Sequence, residues 1–189
     1  LDGGTVKVAG KLDASAAEAG APAGTIVTRG ERVDVAHDVQ VDTRAGSAAG
    51  KWTIEAANAG VNGTDAAGRS IDADTLSRNL GTTSVELANT QGDLTVGGPV
   101  SWTSDNALTL TSRKGNVDLQ KALQATGANA SLVVNSADKI RVNDAVKLTG
   151  DNAHLELNST HGHTLANDKA VVTLSGKNAS YRSNGEDYK

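Results

Sequence analysis

The sequence predicts an all-β fold: a right-handed parallel β-helix, a three-sided solenoid of about 23 residues per rung, with one short helix and loop insertion. The second half repeats about every 23 residues, and apolar residues alternate with polar ones inside each repeat. The composition agrees, because 21 glycines accompany no phenylalanine, methionine or cysteine. Such a composition suits a narrow core of Val, Leu, Ile and Ala.

The repeats begin at residues 83, 106, 129 and 152, and a fifth begins at Asn178. Each holds three short segments with apolar residues at alternate positions, the pattern of a β-strand. Three strands in so few residues indicate one rung of a three-sided coil, with equivalent strands stacked about 4.8 Å apart. A leucine-rich repeat is the alternative at this period, but its L-x-x-L-x-L-x-x-N pattern is absent.

The expected inward residues fall into three sets, one for each side of the coil. The first set is Val85/Leu87, Leu108/Leu110, Leu132/Val134 and Leu155/Leu157. The second set is Leu94/Val96, Val117/Leu119 and Ile140/Val142, with Leu165 as the fourth member. The third set is Val100/Trp102, Leu123/Ala125, Val146/Leu148 and Val172/Leu174.

One asparagine marks the start of each regular rung. Asn106, Asn129, Asn152 and Asn178 each precede an alanine. Asparagine tolerates the left-handed backbone conformation of a tight corner, and stacked amides can hydrogen-bond along the axis. We therefore expect a structural corner, the alternative being a surface ladder of polar ligand contacts.

The chain before residue 83 is less regular. Residues 5–15 resemble residues 32–42 at a spacing of 27, and Ile26 and Ile54 then fall at matching positions. Residues 1–56 are therefore predicted to form looser rungs, with 14–24 as one long corner. Residues 57–82 are predicted to be a loop and short helix insertion, and 83–189 to be regular rungs of one continuous solenoid, cut from a longer protein.

The predicted helix lies near the end of the insertion. Asp74 is the expected N-cap, Leu76 and Leu80 share one face, and Gly81 ends the helix. Such a helix would lie over one side of the solenoid or lead the chain back into it.

Charge and motifs exclude several function classes. The 18 basic and 22 acidic residues give a net charge of −4 without a basic stripe, which disfavours nucleic-acid binding. The chain has no G-x-S-x-G, H-E-x-x-H or glycine-rich phosphate loop, so we expect no enzyme activity, no catalytic residues and no cofactor. Some polysaccharide lyases use carboxylates clustered on a β-helix, but outward carboxylates here are scattered. Asp118 and Arg141 are expected to form an ordinary surface ion pair or no interaction.

Histidines and aromatic residues are the remaining candidates for a site. His161 and His163 alternate, and His154 lies on the same rung, so a metal site is one interpretation. We favour a water-exposed corner and no metal, because no third ligand is evident. Trp52 and Trp102 could stack on sugars, but their phase predicts inward positions. Tyr181 is also predicted to face inward, and the facing of Tyr188 stays open.

Four segments carry a resemblance to a known family. They are GGTVKVAGKLDAS, GTIVTRGERVDVAHDVQVDT, GKWTIEA with the loop after it, and the stretch from LGTTSVELANTQGDLTVGGPVSW to KALQATG. Their order resembles that of filamentous-haemagglutinin-like large exoproteins, adhesins of the two-partner secretion family, over roughly residues 3–160. The chain departs from the family where TIEAANAG replaces a stretch like LIDP, and the family's N-terminal secretion domain is not evident.

The resemblance implies a secreted adhesin at the outer surface of a Gram-negative bacterium. Its partners would be the outer-membrane two-partner transporter, through a region outside this segment, and exopolysaccharide, host glycans or other adhesin molecules. We expect a rigid shaft in cell-surface or biofilm-matrix adhesion. The alternative is a glycan-binding module with its site at 57–82 or 159–170; a polysaccharide lyase and haem-carrier capture are lesser alternatives. No binding residue is assigned by the sequence.

Overall fold

The computed structural model describes residues 2–15, 24–45, 49–62 and 70–188. It confirms the predicted parallel β-solenoid, with about seven turns and one short helix. The strands in chain order are β1 (Asp2–Val8), β2 (Lys11–Asp13), β3 (Thr25–Val35), β4 (Gln40–Asp42), β5 (Lys51–Ala56), β6 (Val61–Asn62), β7 (Ile71–Asp72), β8 (Ser84–Asn89), β9 (Leu94–Val96), β10 (Val100–Trp102), β11 (Ala107–Ser112), β12 (Val117–Leu119), β13 (Leu123–Ala125), β14 (Ser131–Ser136), β15 (Ile140–Val142), β16 (Val146–Leu148), β17 (His154–Ser159), β18 (His163–Leu165), β19 (Val172–Leu174), β20 (Ser180–Ser183) and β21 (Glu186–Tyr188). The helix α1 spans Ala73–Asn79.

The strands form three sides. The first side is a nine-stranded sheet in the order β1-β3-β5-β8-β11-β14-β17-β20-β21. The second side runs β18-β15-β12-β9-β6-β7, and the third runs β10-β13-β16-β19, with β2 and β4 paired separately. Neighbours within the described part of these sheets are parallel, except that β21 returns antiparallel to β20 as a hairpin. Successive rungs therefore stack strand on strand along one axis.

The register of the stack confirms the predicted repeat. On the first side Leu108 pairs with Val85 and with Leu132, and Leu132 pairs with Leu155. On the second side Leu165 pairs with Val142, as predicted for the fourth member of that set. The prediction of burial is wrong for this last rung: Leu165 is 53% exposed and Val172 36% exposed, because β18 and β19 are the end strands of their sheets. Because side chains alternate across a strand, this register turns every second residue into one continuous apolar column. Each fully buried aliphatic side chain in it contributes roughly 1.5–3 kcal/mol.

One corner of the regular rungs is built around a column of glycines. A Cβ placed on Gly150 would lie 1.9 Å from the carbonyl oxygen of Gly127, and one on Gly176 would lie 1.9 Å from that of Gly150. Asn152 donates to the Oδ1 of Asn129 at 3.2 Å, and Asn178 donates to Asn152 at 3.3 Å. The predicted amide stacking is thus confirmed for three asparagines. The repeated turn T/S-G-x-N needs glycine because neighbouring backbones touch there.

Two details of that corner correct the sequence prediction. Asn129 stacks on the carboxylate of Asp105, at 3.1 Å, and not on Asn106. The reason is that Leu108 and Leu132 are 24 residues apart, so this rung holds one more residue than the asparagine spacing suggested. The corner asparagines also lack a left-handed backbone: positive φ among the described residues occurs at Gly10, Gly162, Asn184 and Gly185.

The first rungs are looser, as predicted, with one change of register. Val6 pairs with Val33, which confirms the spacing of 27. Ile26, however, pairs with Trp52 and not with Ile54, which lies opposite Thr28. In this register the buried Thr28 hydroxyl accepts a hydrogen bond from the Trp52 indole at 3.0 Å, so both polar groups are satisfied inside the coil. Of the predicted 14–24 corner, residues 16–23 lie outside the described residues.

Helix α1 begins two residues earlier than predicted. Asp72, and not Asp74, is the N-cap residue, and its carboxylate contacts the His37 ring at 2.8 Å instead of capping the helix. Leu76 and Leu80, which were predicted to share one face of the helix, are both fully buried. None of the described residues forms a helix long and apolar enough to cross a membrane.

The helix fills the third side between β4 and β10, and its side chains take over the hydrogen bonds that a strand would make. Asn79 accepts from the backbone N–H of Val41 at 2.7 Å and donates to the carbonyl of Val39 at 3.0 Å. Towards β10, the hydroxyl of Ser77 accepts from the N–H of Ser101 at 3.1 Å. The helix thus satisfies two strand edges that would otherwise be unpaired.

Two short strands accompany the helix on the second side. Val61 of β6 pairs with Val96 on one edge and with Ile71 of β7 on the other. On the first side the ladder is uninterrupted at this level, because β5 pairs directly with β8.

The glycine column yields a stability prediction. Gly150→Ala should lower the free energy of unfolding by about 1–3 kcal/mol or more, because its Cβ meets backbone that cannot move cheaply. Gly4→Ala is the matched control, since nothing lies within 4 Å of a Cβ there. Urea unfolding followed by circular dichroism measures both, and equal effects of the two variants would refute the close-packed corner.

The helix yields a second prediction. Asn79→Leu should cost about 1–3 kcal/mol for each backbone group left unsatisfied at β4. Asp74→Ala, an exposed change in the first turn of the same helix, should change the free energy of unfolding by less than about 0.5 kcal/mol. Hydrogen exchange of the Val41 amide checks the mechanism: unchanged protection in Asn79→Leu would contradict the role of Asn79.

Candidate functional site

The tryptophans belong to the core, as predicted. Trp52 is fully buried and Trp102 is 4% exposed. Each indole N–H is hydrogen-bonded inside the coil, that of Trp102 to the carbonyl of Asn106 at 2.9 Å. Tyr181 pairs with Leu155 and packs against the core, while Tyr188 lies opposite it in the closing hairpin. Neither tryptophan therefore offers a surface on which a sugar could stack.

The three histidines predicted to share a rung lie in three different environments. His161 contacts the carboxylate of Asp138 at 2.8 Å, and His154 contacts the hydroxyl of Ser180 at 2.7 Å. His163 is not in a corner as predicted: it begins β18, opposite Ile140. There it lines an apolar pocket of about 260 Å³, so it does not point the same way as His161. Within the described ranges no three His, Cys, Asp or Glu side chains form a group that could hold a metal ion.

Asp118 and Arg141 are in-register neighbours on β12 and β15, as predicted. The Asp118 carboxylate instead accepts hydrogen bonds from the side-chain amides of Gln120, at 3.3 Å, and Asn143. The hydrogen bonds described for Asp118 therefore connect it to neutral amides.

The 57–82 insertion lines part of a cleft, and residues 63–69 of it lie outside the described residues. The cleft, of about 340 Å³, is lined by Gly4, Thr5, Glu31, Arg32, Val33, Ala56, Ala57, Asn58 and Ser70. Its charged side chains, Glu31 and Arg32, are exposed neighbours on one strand. No pair of convergent functional groups is formed by these lining residues.

A second concavity, here called the axial groove, runs along the coil where the first side turns towards the second. It has a volume of about 380 Å³ and crosses four rungs. Its lining residues are Ser112, Arg113, Asn135, Ser136, Ala137, Asn158, Ser159, Thr160 and Asn184. The register places them in three columns, because β11, β14 and β17 all end at this corner. Its last rungs include the start of the predicted 159–170 region.

A serine column forms the floor of the groove. Ser112 is 2% exposed and donates to the carbonyl of Gly92 at 2.7 Å. Ser136 is 8% exposed and contacts the carbonyls of Gly115 and Lys139 at 3.0 and 2.8 Å. These hydroxyls are at the last inward position of their strands. Each contacts a carbonyl in the turn of the preceding rung, and that of Ser136 also contacts one in the turn that follows, so the bonds join successive corners. The floor is consequently preorganised.

An amide column forms one wall. Asn158 donates to the Oδ1 of Asn135 at 2.8 Å, and Asn135 contacts the Thr111 hydroxyl at a weak 3.4 Å. Asn184, which takes a left-handed φ of 51° in the hairpin turn, accepts from the Ser159 N–H at 2.7 Å through its Oδ1. A carboxamide has two N–H donors and two oxygen lone pairs. Among the described bonds, both N–H donors of Asn184 and one of Asn135 remain open to a ligand.

The third column is the outer rim, in which residue size varies. Arg113 and Thr160 are exposed, whereas Ala137 between them leaves the groove open. The Arg113 guanidinium donates to the Glu55 carboxylate at 2.6 Å, and the same carboxylate accepts from Arg29 at 3.2 Å. The hydroxyl of Thr160 has no partner among the described bonds. The rim therefore combines one paired cation, one open hydroxyl and a gap.

The charged side chains close to the groove each have a hydrogen-bonding or oppositely charged partner. The hydrogen bond donated by Asn158 lowers the pKa of the Glu156 carboxyl below its usual value, against the opposing effect of burial, and His154 lowers it further. Glu156 is thus an anion held beside the amide wall, just as Glu55 is held by Arg113. The groove presents neutral donors and acceptors between compensated charges, which suits hydroxyl-rich ligands better than strongly charged ones.

Sequence reasoning missed this groove, although a signal exists. The triplets Thr111–Arg113, Asn135–Ala137 and Asn158–Thr160 carry serine at every middle position. Their outer members become neighbours only through the stacking of rungs.

Protein-family models, curated proteins and solved structures were all compared with this chain, and none of them matches it.

Proposed function

We propose that this chain is a segment of the rigid shaft of a secreted bacterial adhesin, and that it holds a binding region away from the cell surface. The observation that carries the proposal is the unbroken register of the first side from β3 to β20. About seven turns at about 4.8 Å each give a rod of roughly 34 Å. A shaft needs such length and stiffness more than it needs chemistry.

The stiffness follows from how the rungs are joined. Each inner strand of the first side is hydrogen-bonded on both edges, so bending the rod would break backbone bonds along a whole side. The apolar column is continuous from Val6 to Leu157. If one rung slipped relative to the next, the close packing between their buried side chains would be lost. Even the helix supports the rod, because Asn79 and Ser77 join the strands on either side of it.

The outer surface and the resemblance support the same proposal. Outward positions of the first side carry mainly Thr, Ser, Asn and paired charges such as Lys51 with Glu86. Such a surface keeps a long rod soluble. The ordered likeness to filamentous-haemagglutinin-like exoproteins adds export by a two-partner transporter and an extracellular location. These features are part of the proposal, together with contacts to exopolysaccharide, host glycans or other adhesin molecules.

The absence of enzyme activity is a prediction of this proposal. Incubation of the chain with pectin or alginate should yield no unsaturated products, measured by ultraviolet absorbance against a lyase as positive control. Accumulation of such products would contradict the shaft proposal and indicate a polysaccharide lyase.

The shaft itself is tested by display on a bacterial surface. The chain is placed between an outer-membrane anchor and a single-domain antibody tip, beneath the cell's surface polysaccharide, and capture of antigen-coated beads is counted. We expect capture with the chain present, and its loss when Leu123→Asp buries a charge and unfolds the coil. Gln124→Asp, exposed on the same strand, is the matched control and should preserve capture.

Two outcomes would contradict the shaft. Equal capture by the Leu123→Asp chain would mean that a folded rod is not required. Capture of beads without antigen would mean that the chain is itself the binding element.

A further inference from the structure

We propose that the axial groove binds a linear, uncharged polysaccharide lying parallel to the solenoid axis. This site gives a location and a ligand chemistry to the exopolysaccharide contacts of the proposed function, and in that respect it rests on the proposed function. The shaft role does not require it, because a rod could hold a tip without binding anything along its length.

The spacing of the columns points to a polymer with a short repeat. Asn135, Asn158 and Asn184 occupy the same position on three successive rungs, so their amides recur about every 4.8 Å along the axis. This step is close to the length of one pyranose unit in an extended glycan. A linear glycan could therefore present one sugar to each rung, which a small ligand or a globular partner could not do.

The chemistry of the columns points to hydroxyl groups. A sugar hydroxyl both donates and accepts, and the wall and rim offer both functions through carboxamides and the Thr160 hydroxyl. The open donors belong to Asn135 and Asn184, and their partner bonds hold the amides in place before a ligand arrives. The floor hydroxyls of Ser112 and Ser136 are already used, so they shape the groove and do not compete for the ligand.

Charge favours a neutral glycan over an acidic one. The only guanidinium lining the described part of the groove, that of Arg113, is paired with Glu55, and Glu156 stands ionised behind the amide wall. A polyuronate or sulfated glycan would bring a negative charge at each rung without meeting an equal number of open cations. Its desolvation would be poorly compensated.

A peptide is a poorer fit for a different reason. Extended peptides gain most of their affinity by adding a strand to an open sheet edge. The strands bordering this groove, β11, β14 and β17, are each paired on both edges inside the first side. They leave side chains for recognition but no free backbone edge.

The rim of the groove offers a position at which one substitution should block ligand binding. Ala137 occupies the rim position held by Arg113 one rung earlier, so Ala137→Arg copies a residue that this column already accommodates. A side chain of that length would lie across the gap between Arg113 and Thr160. Ser101→Arg adds the same charge at an exposed position on the third side and is the matched control.

The test is isothermal titration calorimetry of the whole chain with cellohexaose as the neutral linear probe. We expect weak binding, on the order of millimolar, because the groove is open to solvent and lacks an aromatic platform. Ala137→Arg should weaken it at least about tenfold, Thr160→Ala about two- to tenfold for one lost hydrogen bond, and Ser101→Arg should leave it unchanged. Thr160→Ala keeps the test decisive if Ala137→Arg fails to fold by circular dichroism, since Thr160 is exposed and unbonded among the described contacts.

Three results would overturn the inference. If cellohexaose gives no heat of binding, or if neither Ala137→Arg nor Thr160→Ala weakens its binding, the groove is not a glycan site. Tighter binding of hexagalacturonate than of cellohexaose would replace the neutral glycan with an acidic one. Binding of an alternating Gly-Ser hexapeptide that Ala137→Arg abolishes would assign the groove to peptides instead.

Discussion

The structure depends on one constraint: parallel strands in adjacent rungs must pair in register, about 4.8 Å apart. In-register pairing places each residue directly on its counterpart one turn away, so a position must suit its own column before it suits its neighbours in sequence. Leu108 on Leu132 and Gly127 beneath Gly150 both follow from this rule. Apolar columns become the core, glycine columns become corners where backbones touch, and amide columns hydrogen-bond to themselves.

Helix α1 shows what happens where the constraint is relaxed. A helix cannot extend a β-ladder, because its own backbone groups are used internally. The chain compensates with polar side chains: Asn79 bonds the edge of β4 on one side, and Ser77 bonds β10 on the other. The buried faces of Leu76 and Leu80 meanwhile continue the apolar column. A break in the strand pattern is thus compatible with an unbroken core.

Columns of apolar residues were predictable from the sequence because alternation survives small errors of phase. The pairing of Leu165 with Val142 follows in this way, although their rung is stretched. Columns of polar residues were harder to predict from the sequence. Asn106 and Asn129 share a spacing but not a column, since one extra residue in that corner shifts the stack onto Asp105. The bonds of α1 were not predictable, because they depend on which strand edge each side chain meets. The axial groove could not be predicted for both reasons: its columns are polar, and its residues become neighbours only when the rungs stack.

The same reasoning separates the two amide columns as sites. In the glycine corner Asn152 and Asn178 continue a ladder that starts from the Asp105 carboxylate, and each amide in it donates one N–H to the residue one rung below. In the groove, Ala137 opens a gap and Asn184 leaves both its N–H donors unused. A column on a solenoid becomes a binding surface only where it combines space with open hydrogen-bonding capacity, and the groove combines the gap at Ala137 with the two open donors of Asn184. On a shaft made of many rungs, several weak sites of this kind acting together would bind a polymer far more tightly than any one of them.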